Sequence, residues 1–235
     1  MAESPLTESE LEALRAFDTP TICNALEVVA PERRGHGFTV EPLFCAFPEL
    51  PPMVGYARTC SVRAMRPTAL AKDAAARQRL DYYTYVAEGP GPAVSVVQDV
   101  DSRPGFGAFW GEVNTNIHKG LGCIGTVTNG SIRDLDAIAE GFQMLAGSVG
   151  PSHAWIHLED FGGVVNVHGM SVASGDLVHA DRHGAVVIPH DVARQVAEAA
   201  ELLARREAVI LEAARAPGFG IEALRKAMGD AEEIH

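Results

Sequence analysis

Residues 123–136 read Cys123-Ile124-Gly125-Thr126-Val127-Thr128-Asn129-Gly130-Ser131-Ile132-Arg133-Asp134-Leu135-Asp136. The run Cys123–Thr128 has the apolar, β-branched character of a buried strand, and Asn129-Gly130 is a turn signal that would end it. A helix is expected to begin near Asp134 and to stop at Gly141. Two more runs share the strand character. Ala93-Val94-Ser95-Val96-Val97-Gln98 follows Gly-Pro-Gly-Pro, and Met144–Ser148 follows the expected helix. Strands separated by helical segments specify an α/β chain.

Outward from that centre, residues 8–17 form an amphipathic helix. Thr19 is the expected N-cap of a second helix, with Pro20 at its first position, running to about Val29. Residues 31–55 are rich in Pro and Gly and read as irregular chain or very short strands. Tyr56–Met65 reads as a strand, and Asp73–Ala87 and Val113–Lys119 as helices. After about residue 160 the pattern changes to a β-meander of short strands: Val164–Val167, Asp176–Ala180 and Ala185–Ile188. Helix returns from about Asp191 to Ala214, where Val192, Val196, Ala199, Leu203 and Ile210 share one face. No linker or internal repeat divides the chain. Residues 1–235 are therefore expected to form one α/β domain with an antiparallel portion and peripheral helices.

Composition narrows the function. The 235 residues carry 19 Lys and Arg against 31 Asp and Glu, a formal net charge of −12. General binding to nucleic acid or anionic membrane needs clustered cations and is not expected. A small anion needs only one well-placed Arg. No apolar stretch approaches the roughly 18 residues of a membrane span. Met1-Ala2-Glu3-Ser4-Pro5 has no basic leader and no apolar core. Cys23, Cys45, Cys60 and Cys123 contain no C-x-x-C pair and read as small buried apolar residues. A cytoplasmic setting is expected.

Three segments have residue types that carry chemistry. In the first, Arg133 offers a planar fork for a carboxylate and Asp134 a hard oxygen ligand for Mg²⁺ or Mn²⁺, at a strand end where α/β proteins bind ligands. The bland alternative is a dipole-favoured Asp beside a solvated Arg. The second is Pro104-Gly105-Phe106-Gly107-Ala108-Phe109-Trp110-Gly111-Glu112. It fails as a dinucleotide loop because Trp110 occupies the third glycine position. Backbone amides for an anion remain possible, with Glu112 as a second carboxylate beside Asp134. The third holds His153 and His157, four apart, but lacks His-Glu-x-x-His and sits in a context unfavourable to helix. His179 and Asp181 share one face of a strand, a pairing that usually satisfies a hydrogen bond. No serine nucleophile elbow is present.

Gly130-Ser131-Ile132-Arg133-Asp134-Leu135-Asp136 resembles a signature of the RraA-like family. Trp110-Gly111-Glu112-Val113 upstream, Thr21–Leu26 near the start and Ser174–Pro189 downstream fit the same family in order and spacing. The family includes the regulator of ribonuclease activity A and metal-dependent 4-hydroxy-4-methyl-2-oxoglutarate aldolases. The resemblance spans roughly residues 15–200. It implies a swivelling β/β/α domain with peripheral N- and C-terminal helices, the helical extension covering about 190–235. It further implies homotrimers or hexamers with sites at subunit interfaces. By position, Arg133 would bind the carboxylate or keto oxygen of a small 2-oxo acid. Asp134 would anchor Mg²⁺ or Mn²⁺, Glu112 would orient a metal-bound water, and amides near Gly111, Val113 and Asn114 would hold the pyruvyl carboxylate. The implied activity is that of a class II pyruvate aldolase with oxaloacetate decarboxylase capability. Two rivals are a non-catalytic regulator of an RNA-processing enzyme and another metal-dependent lyase or hydrolase on the same scaffold. Two residues depart from the aldolase pattern: Glu112 stands where Asp is expected, and Ala137 where an acid often follows the Arg-Asp pair.

Overall fold

The computed structural model describes residues 5–235; residues 1–4, part of the stretch in which no leader is expected, lie outside the described residues. Helix α1 (Glu8–Arg15) opens with a capping box in which Thr7 and Glu10 satisfy each other's backbone N–H groups. Helix α2 (Thr19–Val29) is capped by Asp18, whose Oδ1 accepts from the Thr21 N–H at 2.9 Å. The cap therefore lies one residue before the expected Thr19. The Thr19 hydroxyl is committed elsewhere, to His179 Nδ1 at 3.0 Å.

Residues 31–55 are mostly irregular, with a 3-10 turn at Pro31–Gly35 and a two-residue strand β1 (Phe44–Cys45). Strand β2 (Met53–Arg63) starts before the expected Tyr56. Helix α3 (Lys72–Ala87) and strand β3 (Ala93–Asp99) follow. The glycine segment contains a short strand, β4 (Ala108–Trp110), which periodicity did not reveal. Helix α4 (Glu112–Gly120) leads into β5 (Cys123–Ile132), and β6 (Gln143–Val149) comes next. The later strands are β7 (His157–Phe161), β8 (Val165–Val167), β9 (Met170–Val172), β10 (Leu177–Asp181) and β11 (Gly184–Ile188). The chain ends in α5 (Ala193–Arg215) and α6 (Ile221–Glu232). Among the described residues no helix is long and apolar enough to cross a membrane.

The main sheet runs β1-β6-β5-β3-β2-β10-β11, with β4 on β5 and β7 on β2. Strands β2, β3, β5 and β6 are mutually parallel; β1, β7, β10 and β11 pair antiparallel. The residues of β10 and β11 are all buried; in β11 this leaves a continuous apolar run, while β10 also buries His179 and Asp181. One core layer joins Ile22 and Leu26 of α2 with Val196 and Ala200 of α5 and with Leu177 and Ile188. A second places the β8–β9 hairpin over Val94, Val96, Val127 and Leu145. A third joins Tyr82, Trp110, Phe142 and Ile132.

Two local expectations are corrected. Strand β5 runs through Asn129-Gly130 to Ile132 instead of ending there. The Asn129 side chain accepts from the Asp99 N–H at 2.7 Å and donates to the Asp99 carbonyl at 3.0 Å, and the β5–β6 register shifts between Thr128 and Ser131. The turn signal is thus absorbed as an irregularity within the sheet. Beyond it there is no α-helix, only a 3-10 turn at Leu135–Ala137. Asp134 at φ 56 is left-handed, and Ile138 at ψ 146 is already extended, so neither end can propagate a helix.

His179 and Asp181 tie the sheet to the start of α2. The His179 Nε2–H donates to the Phe17 carbonyl at 3.1 Å, so Nδ1 accepts from Thr19; Asp181 Oδ2 accepts from the Thr19 N–H at 3.0 Å. The two side chains meet through Thr19 rather than each other, and together they dock the start of α2.

Candidate active site

The end of β5 and the start of α4 meet side by side. The Arg133 N–H donates to the Trp110 carbonyl at 3.0 Å, locking the end of β5 to β4. The left-handed turn at Asp134 then brings its carboxylate back toward α4. Asp134 Oδ2 lies 3.3 Å from Arg133 Nε and accepts from the Glu112 N–H at 3.3 Å. Gly111 permits this approach: a Cβ there would stand 2.5 Å from Asp134 Oδ2.

Helix α4 starts without a side-chain cap, and its first helical backbone bond is from the Thr115 N–H to the Gly111 carbonyl at 3.0 Å. The N–H groups of Val113 and Asn114 therefore lack intrahelical partners and carry the positive end of the helix dipole. The sequence pattern places a helix N-terminus after Arg133; the structure supplies it from α4 instead, because Asp134 is left-handed. Arg133, Asp134, Gly111, Val113 and Asn114 line a cleft of about 330 Å³. Glu112 is exposed on the first turn of α4 beside it. Every residue singled out for the oxo-acid site thus falls at one place.

The histidine pair does not form a centre. His157 begins β7, with Nδ1 donating to the Trp155 carbonyl at 2.7 Å and Nε2 facing Glu159 at 3.1 Å. His153 stays in the preceding loop and lines the cleft. A strand start beside a loop cannot present two rings as successive helical turns would.

A profile of the RraA-like family, described as Aldolase/RraA, matches residues 19–187. The chain belongs to the RraA-like family. Solved structures agree with this fold. An uncharacterized protein from Pseudomonas syringae pv. tomato str. DC3000 aligns with TM-score 0.72 and 22% identity, over 96% of this chain and 97% of that one. Streptomyces coelicolor RraAS2, described as an unusual member of the RNase ES inhibitor RraA protein family, aligns with TM-score 0.66 and 22% identity, over 88% and 98%. The RNA-processing inhibitor RraA from Thermus thermophilis aligns with TM-score 0.50 and 19% identity, over 71% and 92%. No curated protein matches the chain. The RraA-like fold implied by the sequence signature is present, and the family joins aldolases with RNase inhibitors.

In this RraA-like chain the donor chemistry fits a hard divalent ion. Asp134 Oδ2 is engaged by Glu112 and Arg133, while Oδ1 accepts from none of the described residues. Among the described residues no three His, Cys, Asp or Glu side chains form a cage. One carboxylate with open surroundings suits Mg²⁺ or Mn²⁺, which keep waters and take substrate oxygens, better than a closed zinc or calcium site.

A buried relay that the sequence did not disclose holds α4 in place. The His118 Nδ1–H donates to the Asn114 carbonyl at 2.7 Å, so Nε2 accepts from the Tyr82 hydroxyl at 2.8 Å. Burial lowers the His118 pKa to about 4, which keeps the ring neutral. Tyr83 donates to Asn114 Oδ1 at 3.0 Å. Helix α3 thereby sets the position of the amides at the cleft. Neither Tyr82 nor His118 belongs to a motif, and only their contact reveals the role.

Proposed function

We propose that this protein is a divalent-metal-dependent carbon–carbon lyase acting on small 2-oxo acids, a pyruvate aldolase of the 4-hydroxy-4-methyl-2-oxoglutarate type with oxaloacetate decarboxylase capability. The observation that carries this reading is the convergence of Asp134, Arg133 and the open amides of α4 on one cleft. Bound at Asp134, Mg²⁺ or Mn²⁺ supplies Lewis acidity toward the oxygens of a 2-oxo acid. The Val113 and Asn114 N–H groups hold the substrate carboxylate. Arg133 places its donor fork where negative charge develops. In aldol cleavage the C4 hydroxyl becomes a carbonyl, the C3–C4 bond breaks, and the electron pair passes into pyruvate enolate. Glu112 receives the hydroxyl proton, directly or through one water. We also propose a homotrimer or hexamer: Val113, 70% exposed on the cleft, and Trp155, 60% exposed beside His153, are apolar surface that a neighbouring subunit would cover.

The test is pyruvate release from oxaloacetate and from 4-hydroxy-4-methyl-2-oxoglutarate, with Mg²⁺ and with EDTA. Turnover that EDTA abolishes is the expected result. No turnover of either compound by folded protein supplied with Mg²⁺ overturns the reading. Glu112→Gln separates the two reactions. Aldol cleavage should fall about a hundredfold, while decarboxylation, which has no hydroxyl to deprotonate, should fall less than about tenfold. Equal losses in both would remove Glu112 from the base role.

One RraA neighbour is described as an RNA-processing inhibitor and another as an unusual member of the RNase ES inhibitor RraA protein family, which favours a second reading as a non-catalytic regulator. That reading gives no reason for an open carboxylate set against a guanidinium and free helix amides. The cleft supports the lyase.

A further inference from the structure

A side pocket of about 160 Å³ lies against the cleft, and Arg79, Phe109, Asn114 and Ile156 line both spaces. Ala75, Tyr82, Tyr83 and Leu158 contribute most of its remaining apolar wall. We infer that this pocket is the subsite for the distal substituent of the substrate, and that it takes an uncharged apolar group about the size of one six-membered ring. The inference rests on the reading of the neighbouring cleft as a 2-oxo acid site and goes further: it names 2-oxo acids with an apolar distal group as the preferred class, so that oxaloacetate and 4-hydroxy-4-methyl-2-oxoglutarate, whose distal carboxylates stay outside the pocket, test the cleft chemistry and are the poorer substrates.

Size is the first argument. An apolar cavity of about 150 Å³ accommodates one benzene molecule. The second argument is the state of the polar groups deeper on the wall: Arg79 is exposed at the shared edge and the Thr68 hydroxyl accepts from the Leu70 N–H, while Asn114, Gln78 and His157 are already engaged. Asn114 Nδ2 donates to the Phe109 carbonyl at 2.5 Å, and its Oδ1 accepts from Tyr83. Gln78 Nε2 donates to the Glu159 carbonyl at 3.2 Å. Both ring nitrogens of His157 have partners. A carboxylate in this space would lose its water and find few donors to replace it, whereas an apolar ring loses nothing. The pocket is also pre-formed. Tyr82 is pinned to His118 and Tyr83 to Asn114, so α3 and α4 hold the walls apart before anything binds. Arg79 is exposed on the shared wall, where its guanidinium can lie over the face of a ring.

Arg79 also defines the rival: a second carboxylate at the mouth of the pocket, paired with this guanidinium. Calorimetric binding of three unreactive or slowly reacting probes separates the two. The full chain is titrated with 2-oxobutanoate, 2-oxoglutarate and 2-oxo-4-phenylbutanoate in the presence of Mg²⁺. The phenyl compound is expected to bind about 30-fold more tightly than 2-oxobutanoate, the gain from burying one ring. Ala75→Leu fills the pocket from α3 with a residue that suits a helix, and should reduce that ratio to about threefold or less. Equal affinities for the phenyl and butanoate compounds would overturn the subsite. So would a ratio that Ala75→Leu leaves at its original value. A preference for 2-oxoglutarate that Arg79→Met abolishes would replace the apolar subsite with a carboxylate one. Binding of none of the three overturns the cleft reading and this inference together, whereas binding of 2-oxobutanoate without a gain from the ring overturns only the inference.

Discussion

Asp134→Ala is expected to lower Mg²⁺-dependent pyruvate release from oxaloacetate by about a thousandfold, because Lewis-acid stabilisation of several kcal/mol is lost with the anchor. The side chain is about one-third exposed and, among the described residues, bonds only at its Oδ2, so the variant should fold and melt near the parent. Gly111→Ala should produce most of the same loss without touching a charged group. Its new Cβ would meet Asp134 Oδ2 at 2.5 Å and lies 3.3 Å from Arg133 Nε, so the carboxylate and guanidinium must both shift. The checks are kcat/KM against Mg²⁺ concentration and a melting curve for each variant. Retention of more than a tenth of the parent's turnover in Asp134→Ala would remove Asp134 from the anchoring role. Loss of melting cooperativity in Gly111→Ala would assign that effect to folding instead.

Acidification is expected to destabilise the fold between about pH 6.5 and 4. Burial holds the rings of His118 and His179 neutral by lowering their pKa values from 6.5 to about 4. In that interval the unfolded chain takes up protons that the folded chain excludes. Stability from these groups is therefore complete above about pH 6.5 and declines as pH falls toward 4, by about 3 kcal/mol for each ring. Asp99 acts in the opposite sense, since burial raises its carboxyl pKa. Asp181 is held below its ordinary 3.8 despite burial, by donors from Thr19 and His183, and contributes to acid loss only at lower pH. The urea midpoint measured from pH 7.5 to 4.5 should fall steadily. A flat profile, or His118 and His179 ring resonances that titrate near pH 6.5, would contradict the buried neutral state.

The parts of the site carried by consecutive residues are legible in the sequence. Arg133 and Asp134 are adjacent, and Gly111, Glu112, Val113 and Asn114 form one helix start, so a short motif can carry them. The central strands are legible for a related reason. Ala93–Gln98 and Cys123–Thr128 are almost wholly buried, and burial of that kind favours small, apolar and β-branched residues without charged alternation. Local signals mislead where a distant contact outweighs them. Asn129-Gly130 normally turns the chain, but Asn129 pairs with Asp99 thirty residues away and the strand continues. Thr19 is a good cap, but His179 claims its hydroxyl and Asp18 caps instead.

By itself the sequence determined the α/β class, the family signature, and the residue types available for oxo-acid chemistry, since these depend on patterns within a few residues. Only the tertiary structure decided that Asp134 turns left-handed toward α4, and that α4 rather than a following helix presents the amides. It alone assembled Tyr82, Tyr83, Phe109 and Leu158 into a side pocket from α3, β4 and β7. Those contacts join segments dozens of residues apart. They exist because burying apolar surface brings the elements together, and no local propensity encodes which partners then meet.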